Sequence, residues 1–192
     1  MALHLIIFGS QGSGKGTQAN ELAKKYALEH VSTGAIFRSE MAKDTDLGKQ
    51  LAELLNAGNL VPDEITNKIA KNKLTELEGF DKGYVLDGFP RTIGQAESIE
   101  ATRIDHVFFL DISDEVAVER LRLRYKEAPE HERRADDENE ESIKRRLELY
   151  HKQTKPLIDY YTEKGLLRMI DGEQTIPEVT ESLIDVIENS DD

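Results

Sequence analysis

Apolar residues in this chain gather into five short runs, at residues 4–9, 29–33, 83–87, 106–112 and 166–171. Most of these runs do not alternate with polar positions. A strand covered on one face alternates and a strand covered on both does not, so the runs predict a parallel sheet buried between two layers. Between them the spacing turns helical. Ala19, Leu22, Ala23 and Tyr26 recur at three and four residues after the first run, and Leu47, Leu51, Leu54 and Leu55 do so ahead of Gly58. Thr175 and Glu178 form a capping-box pattern before Val179, Leu183 and Val186, which predicts the start of the last helix. Strands alternating with helices predict an α/β fold, and no internal repeat is evident.

Two stretches depart from simple strand–helix–strand units. Residues 34–82 separate the second and third runs, enough for several helices and so for a small inserted subdomain. Residues 125–139, YKEAPEHERRADDEN, are densely charged, contain Pro129 and offer few apolar side chains. On composition alone this segment reads as a solvated loop.

A length of 192 residues suits one domain with small inserted pieces, able to bury roughly 70% of its unfolded surface. The absence of cysteine excludes disulfides and cysteine-ligated zinc. Neither a secretory leader nor an 18-residue apolar run is present, so a cytoplasmic protein off the membrane is expected. With 38 acidic and 25 basic residues the net charge is −13, which disfavours nucleic acid and anionic membranes as partners. An anionic substrate would have to meet a local cluster of positive charge.

The first run leads into Gly9-Ser-Gln-Gly12-Ser13-Gly14-Lys15, which fits the phosphate-binding loop G-x-x-x-x-G-K. Gly16 follows where the simplest pattern has Ser or Thr, and Thr17 comes one place later. Spacing alone would arise by chance in roughly one chain in fifteen of this length. Context sharpens it: an apolar strand before the loop and an amphipathic helix after it aim backbone N–H groups and the positive helix end at phosphate oxygens. Glycines let the backbone approach, Lys15 supplies a mobile charge to the β and γ phosphates, and the Thr17 hydroxyl a phosphate or magnesium contact. Asp87 ends the third run and Asp111 lies near the end of the fourth; either could hold magnesium where open α/β sheets bind ligands, and one of them could merely cap a turn. Arg120 and Arg124 sit at i and i+4 in a helical pattern starting near Ser113, a like-charge pair that costs a few tenths of a kcal/mol without an anion between them.

This loop, with Val31-Ser-Thr33-Gly34, Asp87-Gly88-Phe-Pro-Arg91-Thr and Arg134-Ala-Asp136-Asp137, resembles the adenylate kinase family of nucleoside monophosphate kinases, and the resemblance runs from first strand to last helix. It implies a P-loop NTPase three-layer fold with a five-stranded parallel sheet. It also implies a division into a core (1–31, 62–122 and 138–192), a helical monophosphate-binding insertion (32–61) and a short, zinc-free lid (123–137). The implied reaction is reversible, Mg²⁺-dependent transfer of the γ-phosphoryl group of ATP to AMP, giving two ADP. By matching motif, ATP would be held by Gly12, Ser13, Gly14, Lys15, Gly16, Thr17, Arg120, Arg124 and the backbone at Gln174. AMP would be held by Thr33, Gly34, Arg38, Asn59, Val61, Gly88, Arg91, Gln95, Arg134 and Arg146. Lys15, Arg91, Arg124, Arg134 and Arg146 would serve the transferring group, Asp136 and Asp137 would help the lid dock, and Asp87 would hold Mg²⁺ through water.

The chemistry agrees with these types. Arg38 and Arg91 can grip a phosphate through forked bonds, and Gln95 offers both a donor and an acceptor to the adjacent N6 and N1 of adenine. Phosphoryl transfer needs alignment and charge neutralisation rather than a strong base, so the five histidines, His131 and His151 among them, are expected in solvated or packing positions. Three features depart from the family pattern: Gln11 in place of proline, Ala35 in place of aspartate, and an acidic run at 136–141 one residue longer than usual. Competing readings are a UMP or CMP kinase, against which Thr33 and Gln95 speak, and a regulator that binds nucleotide without efficient transfer. A switch-type NTP hydrolase would leave the monophosphate motifs without purpose. With no heptad pattern, a monomer is expected.

Overall fold

The computed structural model describes residues 2–57 and 59–189. Gly58, the first residue and the last three lie outside the described residues. Strands β1 (His4–Gly9), β2 (Glu29–Ser32), β3 (Tyr84–Asp87), β4 (His106–Asp111) and β5 (Leu167–Asp171) form one parallel sheet in the order β2-β3-β1-β4-β5. All five expected runs are strands, with ends differing by at most one residue. The run at 29–33 stops at Ser32 because that hydroxyl accepts the Ala35 N–H at 3.3 Å and turns the chain into a helix at Thr33.

Helices join the strands: α1 (Lys15–Tyr26), α2 (Thr33–Met41), α3 (Asp46–Asn56), α4 (Asp63–Gly79), α5 (Ile93–Ser98), α6 (Asp114–Glu127), α7 (Ala135–Glu138), α8 (Glu140–Leu149), α9 (Leu157–Glu163) and α10 (Ile176–Glu188). The alternation of side chains along each strand sorts them into two cores. Leu5 and Ile7 of β1 join Val85, Phe108 and Leu110 under Ala19 and Leu22 of α1 and Val179 and Leu183 of α10. Ile6 and Phe8 join Leu86, Val107 and Phe109 under Ala70, Leu74 and Leu77 of α4, Ala96 of α5 and Tyr161 of α9. Leu5, Ile6 and Ile7 are wholly buried, each such side chain contributing about 1.5–3 kcal/mol, which accounts for the non-alternating sequence of β1.

Two smaller clusters lie outside this sandwich. Phe37, Leu51 and Val61 pack with Met41, Leu47 and Leu55, so α2 and α3 form a separate helical unit in the long interval after β2. Ala117 and Leu121 of α6 pack on Ile143 and Leu147 of α8. The segment between those two helices corrects the solvated-loop expectation. α6 continues to Glu127, a 3₁₀ turn spans Glu130–Glu132, and α7 buries Asp137 to 2% exposure. An ion-paired carboxylate, rather than apolar side chains, holds this piece in place, which is why hydrophobic patterning did not register it. At the far end, Glu178 accepts the Thr175 N–H at 3.0 Å, as the capping-box pattern predicts.

Candidate active site

β1 sits where the order of the sheet changes direction, and the loop beyond its C-terminal end opens onto a cleft of about 1310 Å³. That is larger than the roughly 300–1,000 Å³ typical of a single small-ligand site. Gly14 precedes α1 with φ 89°, a conformation costly for any residue with a Cβ, and beyond it is open space. Gly12 also has positive φ, but a Cβ there would lie 2.8 Å from the Ala117 carbonyl of α6. Gly12 lines the cleft, and at that position the protein's own backbone also leaves no room for a side chain. Lys15 opens α1 and donates to the Ser10 carbonyl at 2.6 Å. Burial pushes its ammonium down to about 7; Arg91, Arg146 and Arg124 add to this and Asp87 opposes it.

Asp87, at the end of β3, faces this cleft, whereas Asp111 is exposed and outside its lining. Of the two strand-end carboxylates, Asp87 alone lines the cleft. Burial raises the Asp87 carboxyl, but the His30 imidazole, its Nε2 3.5 Å from Oδ2, and the Lys15 charge outweigh it and hold the group below its usual range. Ser32 donates to Asp87 Oδ2 at 3.2 Å, and His30 Nδ1 meets Asn20 Oδ1 at 2.8 Å. His30 therefore belongs to the site's polar network, against the expectation that all histidines lie in merely solvated or packing positions. His131 also lines the cleft, while His151 pairs with Asp114 at 2.8 Å.

The turn after β3 carries the next group. The Thr33 hydroxyl donates to the Gly88 carbonyl at 2.9 Å, and Arg91 Nε donates to the same oxygen at 2.8 Å. The Arg91 N–H donates to Gln95 Oε1 at 2.7 Å, and Thr154, from a π-helical turn at Tyr150–Thr154, donates to the Arg91 carbonyl at 2.9 Å. Burial lowers the pKa values of Arg38 and Arg91, and lowers that of Arg134 to about 10.

Cations from the far side complete the cleft. Arg124 Nε donates to Asp137 at 2.7 Å, and Arg146 Nη1 donates to Asp137 at 2.8 Å and to the Asp136 carbonyl at 3.1 Å, with the Asp136 carboxylate ion-paired at 2.9 Å. Arg120 donates to the Gly172 carbonyl at 2.8 Å and the Glu173 carbonyl at 3.3 Å. The like-charge pair on α6 is therefore offset within the protein, Arg124 by a carboxylate and Arg120 by carbonyls, and does not depend on a bound anion as the spacing suggested. Of the residues expected in the site, all but the buried Asp137 line this one cleft, including Gly12, Ser13, Gly16, Thr17, Gly34, Asn59, Val61, Gly88 and Gln174. Asn59 is also engaged across it, its Oδ1 accepting from Arg145 of α8 at 2.7 Å.

Comparison with known proteins bears on this arrangement. The family model described as adenylate kinase matches residues 7–166. The chain is 39% identical to the adenylate kinase of Caldicellulosiruptor bescii, with 95% of this chain and 97% of that one covered. It is 40% identical to that of Shouchella clausii (90% and 92% covered) and 38% identical to that of Listeria monocytogenes serotype 4a (92% and 95%). The chain belongs to the adenylate kinase family.

The glycine loop, Lys15, Asp87, Arg120 and Gln174 share this cleft with Thr33, Arg38, Gly88, Arg91 and Gln95. Sequence reading missed several polar residues that hold this set: Ser10, Asn20, His30, Asp63, Thr92 and Thr154. Ser10 and Thr92 stand inside motifs but act through their own backbone turns or a distant partner, and the others act through partners set apart in sequence with no spacing that signals chemistry. Glu173 is another: it accepts from both the Ser113 N–H (2.8 Å) and hydroxyl (2.7 Å), so the 172–174 loop is tied to the start of α6 as well as to Arg120.

Proposed function

We propose that this adenylate kinase family member transfers the γ-phosphoryl group of ATP reversibly to AMP, giving two ADP, with Mg²⁺, as a cytoplasmic monomer. The observation that carries the reading is the convergence of Lys15, Arg38, Arg91, Arg120, Arg124, Arg134 and Arg146 on one cleft in a protein of net charge −13. A strongly anionic pair of substrates is what such a cluster fits. Among the described residues no helix is long and apolar enough to cross a membrane.

In this reading the glycine loop, Lys15 and Thr17 cradle the ATP phosphates, with Arg120 and Gln174 toward the nucleoside. Arg38 and Arg91 hold the AMP phosphate, and Gln95 meets the base, with Thr33, Gly34, Asn59, Val61 and Gly88 around it. An AMP phosphate oxygen attacks the γ phosphorus as its bond to the β–γ bridging oxygen breaks, and the electron pair leaves with ADP. Arg124, Arg134 and Arg146, with Lys15, neutralise charge spreading over the transferring group, and no side chain need remove a strong proton. The single ionised carboxylate of Asp87, beside the helix bearing Thr17, suits an ion held chiefly by phosphate oxygens and water, as Mg²⁺ is. When bound near Asp87 and Thr17, Mg²⁺ would supply positive charge that offsets the phosphate charge.

The helical unit of α2 and α3 corresponds to the monophosphate-binding insertion at 32–61, and the Asp137-anchored segment to the lid at 123–137, hung between α6 and α8 on the core. Closure of both excludes water, the smaller competing acceptor. The test is ADP formation from ATP, Mg²⁺ and each of AMP, UMP, CMP and GMP, with Lys15→Ala as the blank. AMP-selective, Lys15-dependent turnover is expected. Selectivity for UMP or CMP would refute the acceptor assignment, and binding without ADP formation would make the protein a nucleotide sensor.

A further inference from the structure

Gln95 is 2% exposed, lines the cleft, and has one position at each end of its amide already committed. Its Oε1 accepts from the Arg91 N–H at 2.7 Å, and its Nε2 donates to Asp63 Oδ1 at 2.7 Å. The other Asp63 oxygen accepts from the Thr92 hydroxyl at 2.7 Å, and that hydroxyl in turn accepts the Gln95 N–H at 3.1 Å. A Cβ on Gly94 would come within 3.3 Å of Asp63 Oδ2, so Gly94 leaves the carboxylate its place. Asp63 opens α4, in the first turn after Pro62, and reaches α5 from there.

A carboxylate only accepts hydrogen bonds, so it meets the NH₂ end of the glutamine and never the oxygen end. A primary amide has two donors and two acceptor positions; with one of each taken, one N–H and one lone pair remain for a ligand. The 6-amino purine edge presents a donor at position 6 and an acceptor at N1. A 6-oxo purine presents the reverse, an acceptor at position 6 and a donor at N1. A glutamine amide held one way round matches the first and opposes the second, and turned over it does the opposite.

We propose that Asp63 is a positioning residue for base specificity, locking the Gln95 amide in the orientation that selects 6-amino over 6-oxo purine monophosphates. The inference rests on Gln95 meeting the acceptor base as proposed above. With Asp63 removed, the Arg91 N–H alone resists a flip, and one hydrogen bond to a charged group separates the two orientations less. Such a bond is worth about 10- to 100-fold in an equilibrium.

The experiment compares kcat/KM for AMP and IMP in wild type, Asp63→Ala and Asp63→Asn, with folding followed by circular dichroism and the KM for ATP as control. In Asp63→Ala the AMP-to-IMP ratio should fall by about 10- to 100-fold with ATP KM unchanged, and Asp63→Asn, which retains an acceptor oxygen, should lie between it and wild type. A ratio within twofold of wild type in a folded Asp63→Ala protein overturns the proposal. Should that variant not fold, the assigned Gln95 side-chain amide protons of ¹⁵N-labelled wild type decide the matter. Slow exchange of the amide with one proton shifted downfield supports the lock, and two fast-exchanging protons at free-glutamine shifts overturn it. Wild type that turns over no AMP would instead defeat the transferase reading, and the exchange measurement on the amide would still stand.

Discussion

Binding of ATP should draw a proton onto Lys15. In the free cleft its ammonium is held down to about 7, chiefly because burial strips it of water and secondarily because Arg91, Arg146 and Arg124 surround it. At pH 8 roughly nine in ten such groups are neutral. A phosphate charge about 3 Å away contributes about 5 kcal/mol at an effective dielectric near 20. At 1.36 kcal/mol per pH unit this returns the group to the ammonium form throughout the neutral range. The complex therefore binds more protons than the free enzyme above pH 7, and the sign follows: affinity is level below pH 7 and falls by up to about tenfold per unit as pH rises beyond it. Isothermal calorimetry of ATP binding at pH 8, in buffers of different ionisation enthalpy, should show uptake of about 0.9 proton per nucleotide. Lys15→Met should abolish this uptake. Binding enthalpies that are the same in every buffer for the wild-type protein would refute the reasoning, as would uptake that persists in the variant.

Two further outcomes follow from the site. Replacing Arg91 with Ala removes a guanidinium held between the Gly88 carbonyl and the cleft, and should raise KM for AMP about 10- to 100-fold while changing ATP affinity little; an unaltered AMP KM in steady-state assays would sink its assignment. Asp137→Ala leaves Arg124 and Arg146 without their shared carboxylate. At about 1–3 kcal/mol this should lower the Tm by roughly 3–10 °C in a thermal melt, and a Tm within 1 °C of wild type would show that the buried carboxylate is not what anchors this segment.

Much of the molecule was legible before any coordinates. The five strands follow from apolar runs, because a strand buried on both faces has nowhere to place a polar residue, and β1 meets that condition with Leu5, Ile6, Ile7 and Phe8 all interior. The glycine loop and the Asp87–Arg91 turn were legible because their chemistry is local: backbone conformation and a charge fall within a few residues of each other. What patterning misread was the segment at 125–139, whose order comes from Asp137 meeting Arg124 and Arg146 rather than from apolar burial.

Residue type and short spacing were enough to reveal the α/β class, the phosphate-binding loop, the family motifs and the need for a local field opposing the overall charge. Only the tertiary structure set Asp87 in the cleft and Asp111 outside it, because two strand ends with the same local form differ only in which one faces the cleft. It alone placed the Ala117 carbonyl behind Gly12, brought His30 beside Asp87, and set Asp63 against Gln95 across 32 positions of chain. Contacts of that kind join groups whose separation along the chain carries no periodicity, so only the packing of helices on a common sheet reveals them.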